Sequence, residues 1–246
     1  MTPARADLAR PSAPRLFRKV LVANRAEIAV RVCRTLREMK IASVAVYSEA
    51  DRGAHHTRVA DEAVCIGPPA PSDSYLKIAA LLEAARATGA EAIHPGYGFL
   101  SQSAAFARAC EKAGVVFIGP SAESMELLGD KASSRRAAER SGVPTIPGVA
   151  GVARVEEALR EAEKIGYPVL LKAVGGGGGR GMRRAGDAGE LRDAFESARR
   201  EAATAFVDDR LFLEKLVHPA RHVEIQILGD GKDAIAIGER ECSLQR

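Results

Sequence analysis

The chain has 246 residues, of which 46% are hydrophobic and 28% charged, and its formal net charge is +4. Aromatic residues make up only 4% of the chain and do not alternate with basic residues, which argues against a nucleic-acid-binding surface. The four cysteines form no CxxC pair, as is usual for reduced thiols in a cytosol-like compartment. No apolar run approaches the roughly 18 residues of a membrane span. We therefore expect a cytoplasmic enzyme that binds neither nucleic acid nor membrane.

Strands and helices alternate regularly through the first half of the chain, after a leader over residues 1–15 that is rich in Ala, Pro and Arg and is predicted to be disordered. This alternation predicts a doubly wound α/β domain with a parallel sheet over residues 16–130. The predicted strands span residues 19–23, 41–47, 90–94 and 115–118. The predicted helices span residues 26–39, 76–87, 103–113, 122–128 and 132–141.

The pattern changes after the turn signals Val143-Pro144 and Ile146-Pro147-Gly148. Helices over 155–165 and 190–203 and strands over 169–174 and 211–215 predict a small α/β lid, at about residues 146–217. From Val223 the apolar residues alternate with polar ones, and Gly229-Asp230-Gly231 turns the chain back, which predicts a hairpin that begins an antiparallel sheet over residues 218–246.

The predicted strand that ends at Lys172 leads into five consecutive glycines, residues 175–179, and then Arg180-Gly181. Such a loop brings bare backbone N–H groups and one positive charge against a phosphate. Gly176, Gly178 and Gly181 also satisfy the dinucleotide pattern, but no helix opens on them, and the lysine precedes the glycines, unlike a Walker loop. A plain linker usually contains serine and has no flanking buried strand. We predict a mobile flap over a nucleotide's phosphates.

Six segments together resemble the biotin carboxylase component of biotin-dependent carboxylases, and the resemblance covers residues 17–246. They are VANRAEIA at 22–29, HPGYGFLS at 94–101, GDK at 129–131, the glycine run, RHVEIQ at 221–226 and ECSLQR at 241–246. This resemblance implies an ATP-grasp fold, so residues 131–246 are expected to form an incomplete ATP-grasp domain. It also implies that MgATP activates bicarbonate as carboxyphosphate, and that biotin on a carrier is then carboxylated, as the first half-reaction of an acetyl-, propionyl- or methylcrotonyl-CoA carboxylase.

The resemblance also implies roles for individual residues. Lys131 and Lys172 correspond to cations that neutralise nucleotide phosphates. The residues assigned to ATP binding are Lys131, Lys172, Gly178, Gly179, Glu214, Lys215, Leu216, Val217, His222 and Gln245, of which 214–217 form a hinge that reads adenine. Tyr97 and Gly98 face the bicarbonate and biotin side. The implied cofactors are ATP and Mg²⁺ or Mn²⁺, and the implied partners are a biotin carboxyl carrier domain, a carboxyltransferase subunit and a second copy of the chain.

Taken without the resemblance, several of these residues have simpler interpretations. Lys131 fits a solvated lysine, and His222 fits an ordinary surface or core histidine. The Tyr97-Gly98-Phe99 segment fits a tight turn needed only for packing. His55-His56 has no acidic or cysteine partner at ligand spacing and is interpreted as a solvated loop. If Lys131 and Lys172 are exposed, replacing either should change stability by no more than about 0.5 kcal/mol.

The sequence departs from the family pattern at three places. Ala26 replaces a glycine, which is tolerable if the position is already helical, and Gln102-Ser103 replaces Glu-Asn, which removes a carboxylate from the substrate side. The third departure is the end of the sequence at Arg246. The family's metal-binding, general-base and bicarbonate-binding residues are expected after that point, so no catalytic or metal residue is predicted in this chain. We therefore expect an inactive fragment without bicarbonate-dependent ATP cleavage. The alternatives are a non-catalytic interaction module, or another ATP-grasp ligase such as carbamoyl-phosphate synthetase, against which HPGYGF at 94–99 counts.

Overall fold

A computed structural model describes residues 17–129, 131–173, 182–206 and 210–244. The predicted leader lies outside these residues. The described chain divides into two compact units, one ending at Ser134 and the other beginning at Arg135. Among the described helices, none is long and apolar enough to cross a membrane.

The first unit contains a five-stranded parallel sheet in the order β3-β2-β1-β4-β5. Its strands are β1 (Lys19–Val22), β2 (Ala42–Ser48), β3 (Glu62–Gly67), β4 (Ala92–His94) and β5 (Val116–Phe117). This sheet confirms the predicted doubly wound fold. The chain builds outward from β1 to β3 and then crosses back to β4, so the switch point of the sheet lies between β1 and β4.

Helices cover both faces of this sheet. They are α1 (Ala26–Glu38), α2 (His55–Val59), α3 (Ile78–Thr88), α4 (Ala104–Lys112) and α5 (Ala122–Gly129), followed by α6 (Lys131–Arg140) at the junction of the units. Successive residues of a strand point to opposite faces, so Val20 and Val22 pack with Val32 and Leu36 of α1, whereas Leu21 joins the other core. Burial on both faces explains why β1 and β2 are continuous apolar runs.

Two elements of this unit escaped the sequence analysis. The edge strand β3 is largely exposed, so it lacks a strong apolar pattern. The interpretation of His55-His56 as a solvated loop is wrong, because both residues lie in α2 and His56 is only 1% exposed. His56 Nε2 lies 3.1 Å from the carbonyl oxygen of Val46, and burial lowers the pKa of the imidazole. Of these two histidines, only His55 is exposed.

The second unit contains the predicted lid as a four-stranded antiparallel sheet in the order β6-β9-β7-β8. Its strands are β6 (Gly148–Val152), β7 (Val169–Ala173), β8 (Arg183–Ala185) and β9 (Leu211–Lys215). Helices α7 (Val155–Ile165) and α8 (Ala188–Phe206) pack their apolar residues against Val169, Leu171 and Leu213. Leu170 and Lys172 alternate with these core residues and therefore lie on the opposite face of the sheet.

The predicted hairpin is also present, as strands β10 (Val223–Gly229) and β11 (Ala234–Glu241). Within the described part of the chain, no third strand extends this sheet. Its isoleucines at positions 225, 227, 235 and 237 are 52–62% exposed. The register pairs Val223 with Glu241, which places the family-like segment at 221–226 beside the start of the family-like segment that begins at Glu241.

Candidate functional site

In the first unit, one candidate binding region lies at the carboxyl ends of β1 and β4, the position at which parallel sheets bind ligands. Asn24 lies two residues after the end of β1 and is 3% exposed. Its side-chain amide donates to the carbonyl oxygens of Pro95, at 2.8 Å, and Tyr97, at 2.7 Å. The family-like segments at 22–29 and 94–101 are therefore bound directly to each other.

The predicted site residues Tyr97 and Gly98 form an exposed rim at this edge of the sheet. Tyr97 is 58% exposed, and its hydroxyl donates to the carboxylate of Glu27. The carbonyl oxygen of Gly98 accepts the N–H of Ser101 at 2.9 Å. Within the described residues, the N–H groups of Tyr97 and Gly98 have no hydrogen-bond partner. The rim thus presents two backbone donors to a ligand.

The neutral form of His94, at the end of β4, supports the rim. Burial and the nearby charge of Arg31 lower the pKa of His94. Its Nδ1 accepts the N–H of Gly96 at 3.0 Å, which requires that this nitrogen carry no proton.

Two glycines of the rim provide a matched test of its packing. Gly96 and Gly98 both have a φ of +66°, but a Cβ on Gly96 would lie 2.8 Å from Asn24 Nδ2, whereas a Cβ on Gly98 would meet nothing within 4 Å. We expect Gly98→Ala to cost about 1 kcal/mol of stability for the left-handed backbone. Gly96→Ala should cost about 1 to 3 kcal/mol more, because it displaces Asn24. Urea unfolding of the two variants measures the difference, and equal losses would contradict the role of Asn24.

The departure at Ala26 has a different consequence from the one expected. Ala26 is the first residue of α1, but its φ is +56°, in the left-handed region. The expectation that alanine suits this position as a helix former is therefore wrong. A Cβ disfavours this conformation by roughly 1 to 2 kcal/mol, and glycine avoids that cost.

We expect Ala26→Gly to stabilise the first unit by about 0.5 kcal/mol, because relief of the left-handed strain exceeds the added chain entropy of glycine. The matched control is Ala109→Gly, in the middle of α4, which should destabilise by about 1 kcal/mol. Hydrogen exchange of the α1 and α4 amides measures both effects. Destabilisation of α1 by Ala26→Gly would contradict this account.

The departure at Gln102-Ser103 is accommodated locally. Ser103 is the N-cap of α4, and its Oγ accepts the N–H of Phe106 at 3.2 Å. A serine performs this task as well as asparagine does. The side chain of Gln102 is exposed.

In the second unit, a separate candidate binding region is the face of the lid sheet opposite α7 and α8. There Lys172 forms an ion pair with Glu214, across neighbouring strands β7 and β9. The Lys172 side chain is 27% exposed and that of Glu214 is 14% exposed. The premise that Lys172 is an exposed lysine is therefore wrong. Replacement of Lys172 will leave the largely buried carboxylate of Glu214 without its cation.

The predicted hinge at 214–217 begins with the last two residues of β9, Glu214 and Lys215. The ammonium of Lys215 donates to the carbonyl oxygens of Gly166, at 3.0 Å, and Tyr167, at 2.7 Å. The N–H groups of Lys215 and Leu216 donate to Pro147 and Pro168. In the described part of the chain, the N–H of Val217 has no partner, and this residue is 48% exposed. Val217 is thus the hinge residue with a backbone donor available to a ligand.

The elements on either side of the glycine run oppose the dinucleotide interpretation. The run connects β7 to β8, and these strands pair in antiparallel fashion from Val169↔Ala185 to Leu171↔Arg183. A dinucleotide fingerprint requires a strand followed directly by a helix. The connection here is strand to strand.

Another candidate region in the second unit is the open end of the hairpin. His222 donates its N–H to Ser243 Oγ at 3.0 Å, and its carbonyl oxygen accepts the N–H of Cys242 at 2.8 Å. The Cys242 thiol donates to Glu224 at 2.7 Å, and this hydrogen bond raises the pKa of Cys242 and lowers that of Glu224. The backbone of His222 is thus fixed by its hydrogen bonds to Ser243 and Cys242.

Comparisons with known proteins show which domains the chain contains. A family profile described as the biotin carboxylase N-terminal domain matches residues 16–125, and one described as the carbamoyl-phosphate synthase L chain ATP binding domain matches residues 130–246. The biotin carboxylase of Pseudomonas aeruginosa is 51% identical over 94% of this chain and 52% of its own length. The chain consists of a biotin carboxylase N-terminal domain followed by an ATP-binding domain, as in the N-terminal half of its biotin carboxylase relatives.

Two further relatives extend the comparison. The propionyl-CoA carboxylase alpha chain of Ruegeria pomeroyi is 51% identical over 94% of this chain and 34% of its own length. The biotin carboxylase domain dimer of 2-oxoglutarate carboxylase from Hydrogenobacter thermophilus, solved with MgADP, ADP and bicarbonate, has a TM-score of 0.83 and 50% identity. That match covers 94% of this chain and 51% of the solved chain. The chain thus spans between about a third and a half of these biotin carboxylase relatives.

Several residues assigned to ATP binding by the biotin carboxylase resemblance are not placed by the structure. Gly178, Gly179 and Gln245 lie outside the described residues, and for Lys131 the structure describes only its place at the start of α6. Among the described residues, no group of three or more His, Cys, Asp or Glu is arranged to hold a metal ion.

A cluster beside the rim, formed by Arg25, Asp51 and Tyr75, is not predicted from the sequence. Arg25 belongs to a family-like segment, but no role was assigned to it. One signal was available, because Asn24 and Arg25 are polar residues directly after a buried strand, where sheet ligands bind.

Proposed function

We propose that this chain supplies the nucleotide-binding part of an ATP-dependent biotin carboxylase. The proposed enzyme uses ATP and bicarbonate, through carboxyphosphate, to carboxylate biotin on a carrier protein. The observation that carries the proposal is Lys172, held by Glu214 on the face of the lid sheet opposite its helices, at the end of the strand that enters the glycine run. A cation beside backbone N–H groups is suited to a polyphosphate.

We assign the nucleotide contacts from the resemblance to biotin carboxylases together with the contacts described above. Lys172 and Lys131 neutralise phosphate charge, and Gly178 and Gly179 donate N–H groups to phosphate oxygens. The free N–H of Val217 reads the edge of the base, while the side chain of Lys215 holds the hinge in place. Glu214 orients Lys172, and His222 and Gln245 complete the nucleotide site. The relative solved with MgADP, ADP and bicarbonate supports these ligands.

The carboxylation side of the proposed site includes the rim at Tyr97 and Gly98. Carboxybiotin is then consumed by a carboxyltransferase subunit, which carboxylates an acetyl-, propionyl- or methylcrotonyl-CoA. The alpha chain of propionyl-CoA carboxylase among the relatives supports this acceptor class. We propose a cytoplasmic homodimer as the working form, in line with the dimeric relative.

The test begins with the coding DNA beyond the codon for Arg246, which is expected to supply the missing glutamate, arginine and lysine residues. The complete gene product should then cleave MgATP only when both bicarbonate and biotin are present. The 246-residue chain should show no such cleavage, because it spans only 52% of the length of the biotin carboxylase relative from Pseudomonas aeruginosa. ATP cleavage by the complete protein that ignores bicarbonate, or that follows ammonia instead, would identify a different ligase.

A further inference from the structure

Backbone strain beside the rim points to residues that position it. Three non-glycine residues in the described chain have a positive φ, namely Ala26, Lys40 and Phe99. Ala26 and Phe99 follow β1 and β4, the two neighbouring strands at the switch point, and Phe99 has a φ of +42°. A bulky residue keeps this conformation only where its surroundings enforce it, and such residues concentrate at functional sites.

The ring of Phe99 is held by two neighbours. It stacks on Tyr75, with ring centroids 5.0 Å apart and planes inclined by 8°. The guanidinium carbon of Arg25 lies 5.3 Å from the Tyr75 centroid and 5.7 Å from the Phe99 centroid. A planar guanidinium suits such contacts with aromatic rings.

Asp51 fixes both neighbours of Phe99. Its Oδ2 accepts hydrogen bonds from Arg25 Nη1 at 3.1 Å, from the Tyr75 hydroxyl at 2.7 Å and from Ser48 Oγ at 2.8 Å. Burial opposes ionisation of Asp51, but the hydrogen bonds from Tyr75, Ser48 and Arg25 outweigh it and lower the pKa of this carboxyl. The anion therefore persists at neutral pH and keeps the guanidinium and the phenol in place.

The turn from Pro95 to Phe99 is consequently held at both ends. Asn24 binds the carbonyl oxygens of Pro95 and Tyr97, and the cluster of Arg25, Asp51 and Tyr75 holds the ring of Phe99. We propose that Arg25 is a positioning residue, which fixes the Tyr97 and Gly98 backbone donors for the substrate through Phe99. This inference rests on the proposed function, which assigns the rim to the bicarbonate and biotin side.

The first test uses the complete gene product with Arg25→Met, Arg25→Lys and the control Arg52→Met. Arg52 is also stacked on a ring, 5.7 Å from the Tyr47 centroid, but its ring is not part of the turn. We expect Arg25→Met to lower kcat/KM for biotin by roughly 10- to 100-fold, while KM for ATP changes by less than about twofold. Arg25→Lys should recover only part of the loss, because lysine lacks the planar group. Arg52→Met should behave as wild type.

A purely structural role for Arg25 predicts a different result, since it would reduce the amount of active enzyme and leave both KM values unchanged. That outcome, or equal behaviour of Arg25→Met and Arg52→Met, would overturn the proposal.

The second test uses the 246-residue chain and does not depend on catalysis. The N–H groups of Gly96 and Ser101 are bonded to His94 Nδ1 and the Gly98 carbonyl, so their hydrogen exchange reports order in the turn. Arg25→Met should speed this exchange by roughly tenfold or more relative to Arg52→Met. If the wild-type complete protein lacks bicarbonate-dependent ATP cleavage, the proposed function is wrong, yet this exchange still decides whether Arg25 fixes the turn. Equal exchange in the two variants would show that it does not.

Discussion

Replacing Lys172 by methionine in the complete enzyme is expected to lower the rate of bicarbonate-dependent ATP cleavage by on the order of 10² to 10³ at saturating ATP. The reason is that the variant lacks a cation aimed at the charge of the transferring phosphoryl group. Lys131→Ala should show a loss of similar size. The matched control is Lys164→Met, which removes an exposed lysine paired with Glu161 in the same unit and should keep the wild-type rate.

Because Lys172 forms an ion pair with Glu214, the stability of the Lys172→Met variant has to be measured as well as its rate. Lys172→Met leaves the Glu214 carboxylate without its cation, and we expect a loss of about 1 to 3 kcal/mol in the second unit, between the values for exposed and buried pairs. Adding Glu214→Gln should recover most of this stability without restoring the rate. Wild-type rates in both lysine variants at saturating ATP would contradict the assignment, and recovery of the rate in the double variant would show that only folding had been affected.

Pairing Gly178→Val with Gly179→Val in the complete enzyme is expected to raise KM for ATP by roughly 10- to 100-fold, as for the loss of one or two hydrogen bonds to a charged group. The added side chains prevent close approach of the backbone to the phosphates. The thermal midpoint should stay nearly unchanged. The control is Gly238→Val, in β11, where a Cβ meets nothing within 4 Å.

Hydrogen exchange over residues 175–182 measures the same loop directly. We expect fast exchange without nucleotide and protection with MgATP, because phosphate supplies partners for the N–H groups of the glycine run. The double valine variant should gain little protection. Equal and strong protection with and without MgATP would indicate a rigid structural loop, and the phosphate flap would then be abandoned.

Most of the architecture follows from local patterns in the sequence. The apolar runs that become β1 and β2 and the helical period of α1 predict buried parallel strands with a covering helix, because these residues are buried on both faces. The period of two from Val223 predicts the hairpin for a similar reason. The exposed edge strand β3 and the one-turn helix α2 are not predicted from the sequence, because neither has a long apolar stripe.

The contacts within the site depend on which strands become neighbours. Arg25, Asp51 and Tyr75 meet only because β1 and β2 are adjacent in the sheet, and residues this far apart in sequence carry no local signal of the contact. The Lys172–Glu214 pair depends likewise on the register of β7 against β9.

The sequence by itself determined the fold class, the positions of the glycine run and of the Tyr97-Gly98 rim, and the family, since each depends on residue type and short-range order. The tertiary structure alone decided that Ala26 and Phe99 are left-handed, that His56 is buried and that the ammonium of Lys215 faces backbone carbonyls. These properties arise from packing between segments distant in the chain, because a side chain's partners are set by the three-dimensional neighbours that burial and hydrogen bonding bring to it.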